Sequence, residues 1–170
     1  MIHIVLYNPE IPQNTGNIMR TCVATEAHLH LIEPLGFKFD EKRVRRSVMD
    51  YFDYLHYTIH PSFEEFMTTV SGQVYFLTRY GHKPHSEFNF KDTDEDIYLV
   101  FGAESTGIPL NILKEHLDHC FRVPMAKEAR SLNLSNTVAI CVYEVLRQQG
   151  YPHLSVEEVQ KGANFLDDSQ

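Results

Sequence analysis

An unbroken apolar run, Ile97-Tyr98-Leu99-Val100-Phe101, lies between the acidic stretch ending at Asp96 and the turn Gly102-Ala103-Glu104-Ser105-Thr106-Gly107. Five apolar residues without polar alternation predict a strand buried on both faces, and such strands belong to parallel sheets covered by helices on each side. Ile2–Tyr7, bounded by Asn8-Pro9, and His28–Ile32, ended by Pro34, read the same way. Further strands are expected over Tyr54–Ile59, Val74–Thr78 and Cys120–Val123. Helices fall between them. Asn14 is placed as the N-cap of a helix reaching Ala27, and Asp40 opens a basic helix reaching Met49. Ser62, with Glu65 at capping-box spacing, opens a helix to Val70. Pro109 begins a helix to Leu117, and Ser135 or Asn136 caps one to Gln149, closed by Gly150 and Pro152. The polar stretch 79–96 is expected to be a long connection carrying an edge strand. Strands alternating with helices predict an α/β fold, a mainly parallel sheet with helices on both faces. Ligands of such sheets bind at the carboxyl ends of strands, which directs attention to the loops after Tyr7, Thr78, Phe101 and Val123.

A chain of 170 residues suits one domain with a sizeable core. The three cysteines, Cys22, Cys120 and Cys141, are odd in number and form no CxxC, so reduced, buried thiols are expected. The N-terminus lacks the basic start of a signal peptide, and the apolar runs near 97–103 and 137–146 are too short to span a bilayer. A cytoplasmic location without membrane attachment is the expectation. The net charge of −8 argues against a nucleic-acid partner taken alone, yet it does not say where charges sit. Lys42-Arg43-Val44-Arg45-Arg46 is a local basic cluster, whereas acids gather at 92–96, 157–158 and 167–168.

Gly102–Gly107, between a buried strand and a helix, is where backbone groups can cradle a ligand, though a plain capped turn explains the pattern as well. It is neither a Walker loop nor GxGxxG, and no GxSxG occurs. Asn14-Thr15-Gly16-Asn17-Ile18-Met19-Arg20 opens a helix whose amides and Arg20 suit a phosphate; a helix cap and a solvated arginine explain it equally. Ser131-Leu132-Asn133-Leu134-Ser135-Asn136 alternates polar and apolar residues ahead of a helix that is apolar nearly all round, which suits a core or subunit-interface helix. Among ten histidines, His82-x-x-His85 and His116-x-x-His119 have no matching second pair, so no metal is expected.

In this order the three segments resemble the SPOUT superfamily of methyltransferases. The third comprises Val123-Pro124-Met125 with residues 131–136. The likeness is greatest to its minimal single-domain branch, the tRNA (cytidine/uridine-34) 2′-O-methyltransferases. Residues 4–12 and 40–46 also match, and the resemblance extends to about Pro152, which implies a methyltransferase domain over 1–153 and a C-terminal tail over 154–170. It implies S-adenosylmethionine as cofactor, a homodimer, a deep C-terminal trefoil knot, and methylation of the wobble ribose 2′-OH in the anticodon stem-loop of tRNA, with leucine tRNAs as expected substrates. Carried over by position, Leu77, Gly102, Val123, Ser131 and Leu132 would bind the cofactor. Arg20, Asn136 and Tyr143 would be catalytic, with Arg20 supplied across a dimer interface. Asn14, Arg43, Arg45, Arg46 and Arg130 would contact RNA. An RNA-binding or assembly protein of the same fold without catalysis is the alternative.

Overall fold

The computed structural model describes residues 1–168, with side chains except at 47–50 and 168. The chain runs β1 (Ile2–Tyr7), α1 (Pro12–Thr25), β2 (His28–Ile32), α2 (Glu41–Val48), β3 (Tyr57–His60), α3 (Phe63–Thr69), β4 (Gln73–Leu77), β5 (Lys83–Pro84), β6 (Ile97–Phe101), α4 (Leu110–Glu115), β7 (Cys120–Arg122), α5 (Leu134–Gln149) and α6 (Phe165–Asp168). The strands form one seven-stranded sheet in the order β3-β2-β1-β6-β4-β7-β5. Every pairing is parallel. All strands therefore end on the same edge.

Strand periodicity sorts the core into two layers. Ile4 and Leu6 of β1, Leu29 and Leu31 of β2, and Leu99 and Phe101 of β6 join Ile18, Met19 and Cys22 of α1 and Val138, Val142 and Val145 of α5. On the opposite face Val5, Ile32, Val74, Phe76 and Val100 meet Phe66 of α3 and Ile112 and Leu113 of α4. All five residues of β6 are buried, as its uninterrupted apolar run requires. The three cysteines are buried free thiols, and burial pushes those of Cys22 and Cys141 up to about 12. Among the described residues no helix is long and apolar enough to cross a membrane.

Several boundaries differ from the sequence expectation, α4 for one spanning only Leu110–Glu115, and three of them have a clear local reason. Helix α1 starts at Pro12, with Ile11 as N-cap and no side-chain cap bond. Proline fits the first helical turn because its missing N–H would be unpaired there anyway. Asn14 is thus inside the helix, where its amide serves other partners. The N-cap of α5 is Asn133, not Ser135 or Asn136: its Oδ1 accepts from the amides of Ser135 at 2.9 Å and Asn136 at 3.3 Å. Strand β3 begins at Tyr57 because residues 49–54 form a 3-10 helix. Ser62 caps α3 as expected, accepting from the Glu65 amide at 3.1 Å. The edge strand within 79–96 is the two-residue β5. From 155 to 167 every residue is exposed, and Ser169 and Gln170 of the expected tail lie outside the described residues.

A histidine ladder crosses the face of the sheet that α3 covers. His3 Nδ1 lies 2.9 Å from His30 Nε2, and His30 Nδ1 lies 2.8 Å from His60 Nε2. His3 Nε2 faces Asp96 Oδ2 at 3.4 Å. Each ring–ring contact needs one N–H, so three neutral rings protonated on Nε2 satisfy both contacts and point the last N–H at the carboxylate. Burial, reinforced by the neighbouring histidines, lowers His30 to about 3, and burial also lowers His3 and His60. Depressed histidines bind fewer protons in the folded state than in the unfolded one. Their contribution is fully present above the unfolded value of about 6.5 and is lost as pH falls toward the folded values. The urea midpoint should therefore fall on acidification below that value, and His30→Leu should make the fall shallower. An unchanged slope in His30→Leu would remove the ladder from the account of acid stability.

Candidate active site

A cleft of about 860 Å³ opens at the carboxyl edge of the sheet, between the loops that follow β4, β6 and β7 and the start of α5. Residues 77–80, 102–110 and 130–134 form most of its walls. After β6 the backbone folds back on itself: the Gly107 amide donates to the Ala103 carbonyl at 2.8 Å, and Gly107 has φ of 71°. A Cβ on Gly102 would lie 2.3 Å from the Gly107 carbonyl carbon, so the turn closes only because position 102 has no side chain.

Glu104 projects from this turn toward the loop after β1. Its carboxylate accepts from the Glu10 amide at 2.8 Å, the Ile11 amide at 3.1 Å and Asn14 Nδ2 at 3.3 Å. Glu10 reciprocates, accepting from the Ser105 hydroxyl at 2.6 Å and amide at 2.9 Å. Those two Ser105 donors hold the Glu10 carboxyl below its ordinary range. Asn14 extends the network, since its Oδ1 accepts from Asn133 Nδ2 at 3.0 Å. Asn133 Oδ1 in turn caps α5 and accepts from the Ser135 hydroxyl at 2.6 Å. One chain of hydrogen bonds thus runs from the turn after β6, through α1, to the N-terminus of α5. Glu104 has three donors on it and is fixed as an acceptor, which makes it a strut rather than a free general base.

The expected cofactor residues Leu77, Gly102, Val123, Ser131 and Leu132 all line the cleft, as does Arg130. Asn14 lines it too, but is 6% exposed with both ends of its amide engaged, so it is a tie between loops rather than a free RNA donor. Arg20, Asn136 and Tyr143 are exposed and lie outside the lining. Asn136, Ile140, Tyr143 and Arg147 form the exposed stripe of α5, beside α1, which carries Arg20. Arg43, Arg45 and Arg46 are exposed on α2, away from the cleft lining. Arg45 is engaged within the protein, 3.0 Å from Asp53 and 4.5 Å from the centre of the Phe52 ring.

Sequence reasoning did not single out Glu10, Glu104 or Asn133, although Glu104 and Asn133 lie inside quoted motifs. The available signal was chemical: a carboxylate in a glycine turn, and an asparagine placed before a helix. It also missed Arg79, Tyr80 and Arg122, which line the cleft, with the Arg79 guanidinium 5.0 Å from the Tyr80 ring centre. Among the described residues no group of three or more His, Cys, Asp or Glu side chains is arranged to hold a metal.

Comparison with known proteins decides the family, because the profile of the SpoU rRNA Methylase family matches residues 1–143, most of the chain. The chain belongs to the SpoU methylase family. An Escherichia coli K12 relative, tRNA (cytidine(34)-2′-O)-methyltransferase, is 46% identical over 154 residues, covering 89% of this chain and 96% of that protein. Among solved SpoU-like structures, one described as giving structural insights into the 2-OH methylation of C/U34 on tRNA is 36% identical with a TM-score of 0.79, covering 88% of this chain and 97% of that one. The SpoU methyltransferase AviRb of Streptomyces viridochromogenes, in complex with the cofactor AdoMet, is 26% identical with a TM-score of 0.72, covering 86% of this chain and 57% of that one. The mainly parallel α/β sheet described above is the fold these SpoU methyltransferases share.

Gly102→Ala should force the turn after β6 open against backbone and lower stability by about 1–3 kcal/mol. Urea unfolding reads this directly. An unaltered midpoint would show that the turn accommodates a Cβ at position 102.

Proposed function

We propose that this protein transfers a methyl group from S-adenosylmethionine to the ribose 2′-OH of the wobble nucleotide, cytidine or uridine 34, of tRNA. The observation that carries the reading is the cleft at the sheet edge, where segments of all three motifs come together in a chain of the SpoU methylase family. The named activity of the Escherichia coli relative supports the substrate. The anticodon stem-loop, with leucine tRNAs foremost, is the proposed RNA.

The cleft fits the cofactor: its volume suits an adenosine and amino-acid moiety, and one of its walls is the tight turn that closes because Gly102 carries no side chain. Leu77, Gly102, Val123, Ser131 and Leu132 would hold it. When bound, S-adenosylmethionine supplies an electrophilic methyl on a sulfonium. The protein's part is then to orient the ribose hydroxyl, at about 3–3.5 Å and in line, and to favour loss of its proton. Arg20 serves as a clamp on an adjacent phosphate that also stabilises developing alkoxide charge, because a guanidinium does not give up its proton to act as a base. Arg130, at the cleft, and Arg43 and Arg46, on α2, supply phosphate contacts. Arg45 joins them after exchanging its exposed pairing with Asp53, a contact of small net worth. Asn136 and Tyr143 act near the transferred methyl.

Arg20, Asn136 and Tyr143 stand outside the cleft of their own chain, which favours a homodimer in which the α1 and α5 faces meet and each copy completes its partner's site. The half-exposed apolar residues Ile140 and Tyr143, at 39% and 45%, support that interface. A trefoil knot formed by the chain around the cleft, a domain over 1–153 with a tail over 154–170, and a cytoplasmic location complete the proposal. The exposed run 155–167 supports the division.

Incubation with methyl-labelled S-adenosylmethionine and bulk tRNA, followed by mapping of the labelled nucleotide, tests the assignment. Label on the 2′-oxygen of nucleotide 34 is expected. Label on a base, at another position, or in no RNA would overturn it.

A further inference from the structure

A second, shallow pocket of about 610 Å³ lies on the same edge of the sheet, between the loop after β2 and the start of the segment after β3. Pro34, Leu35, Phe37, Phe39 and Pro61 line it, together with one carboxylate, Glu33, and one cation, Lys38. Two of its hydrophobic residues have structural duties: Leu35 and Phe39 pack on the main core, and the Phe39 ring centre is 5.5 Å from that of Tyr57. Phe37 does not share them. It is half-buried, belongs to neither core cluster and has no aromatic partner among the described residues.

The pocket is mechanically joined to the cleft. The Gly36 amide donates to the Pro9 carbonyl at 2.9 Å, and the next residue, Glu10, is locked to Glu104 and Ser105 of the cleft turn. The surroundings are also the most basic part of an acidic chain. Residues 37–46 carry five cations against two carboxylates, and Lys38, Lys42, Arg43 and Arg46 make no ion pair among the described residues. A half-exposed aromatic ring without an aromatic partner, beside Lys38, a few residues ahead of the unpaired cations of α2 and tied to the cleft, has the chemistry of a stacking site for a nucleobase on a phosphate-bearing strand. An apolar peptide would leave those cations without partners.

We propose that the pocket formed by residues 33–39 and Pro61 seats an unpaired nucleobase of the substrate loop, one flanking the methylated nucleotide, with Phe37 as its stacking surface. The proposal rests on the tRNA methyltransferase reading and adds a specificity determinant to it: a base outside the cleft fixes the register in which the loop enters it. Lys38 and α2 then hold the phosphates on either side.

The test uses the full-length enzyme and a set of anticodon stem-loop RNAs, each lacking one loop base. With the unaltered enzyme, removing one base close to the methylated nucleotide should lower kcat/KM about tenfold or more, the range of a single base–aromatic stack. Phe37→Ala should raise KM for the intact RNA by a similar factor, leave S-adenosylmethionine affinity unchanged, and become indifferent to loss of that base. Phe37→Trp should restore the unaltered behaviour. Normal KM in Phe37→Ala, or no rescue by Phe37→Trp while both still bind cofactor, would overturn the proposal. If Phe37→Ala fails to bind cofactor, the base-deletion series with unaltered enzyme decides, and equal rates for every deletion overturn it. An unaltered enzyme that methylates none of these RNAs or bulk tRNA would sink the functional reading together with this one, whereas failure of the pocket alone leaves that enzyme active.

Discussion

The side chain of Asn14 joins two groups that lie about a hundred residues further along the chain. Its Nδ2 donates to Glu104 and its Oδ1 accepts from Asn133, all within a partly buried site. A primary amide presents a donor to a carboxylate and an acceptor to another amide from two separate atoms at once. Glutamate 104 would otherwise lose one of three donors, and Asn133 would lose the contact that sets its orientation over the amides of α5. Asn14 is itself buried, and leaving its amide unpaired would cost about 1–3 kcal/mol. The loops that define the cleft therefore hold their places through a shared set of hydrogen bonds as well as through packing.

The sheet supplies the platform for this tie. Because all seven strands are parallel, their carboxyl ends deliver the loops after β1, β2, β4, β6 and β7 to one edge. The apolar layers beneath them are ordinary: aliphatic residues of β1, β2 and β6 against α1 and α5 on one side, and against α3 and α4 on the other. The charge distribution follows the same geography. On an acidic molecule, cations concentrate in the segment 37–46 after β2, and Arg79, Arg122 and Arg130 line the cleft itself.

Much of this was legible in the sequence, and the reasons for the rest are physical. Strand β6 could be read because burial on both faces leaves no polar residue to confuse the period. The cleft lining at Leu77, Gly102, Val123, Ser131 and Leu132 followed from resemblance, not from spacing. Asn14 misled because asparagine near a helix start is ordinarily a cap; here Pro12 begins the helix and the amide answers to Glu104 and Asn133, partners that no local pattern reveals. The same long range hid Glu10, whose partner Ser105 is 95 residues away. The histidine ladder was equally invisible, because His3, His30 and His60 lie on three strands and meet only once the register of the sheet is set.

Asn14 ties the three motif segments into one unit. A double-mutant cycle on S-adenosylmethionine affinity, with Asn14→Ala, Asn133→Ala and the double variant, measures that tie directly. Strong non-additivity is expected, the second substitution costing little once the first is present, with a coupling of about 1 kcal/mol or more. Two independent, additive losses would contradict it.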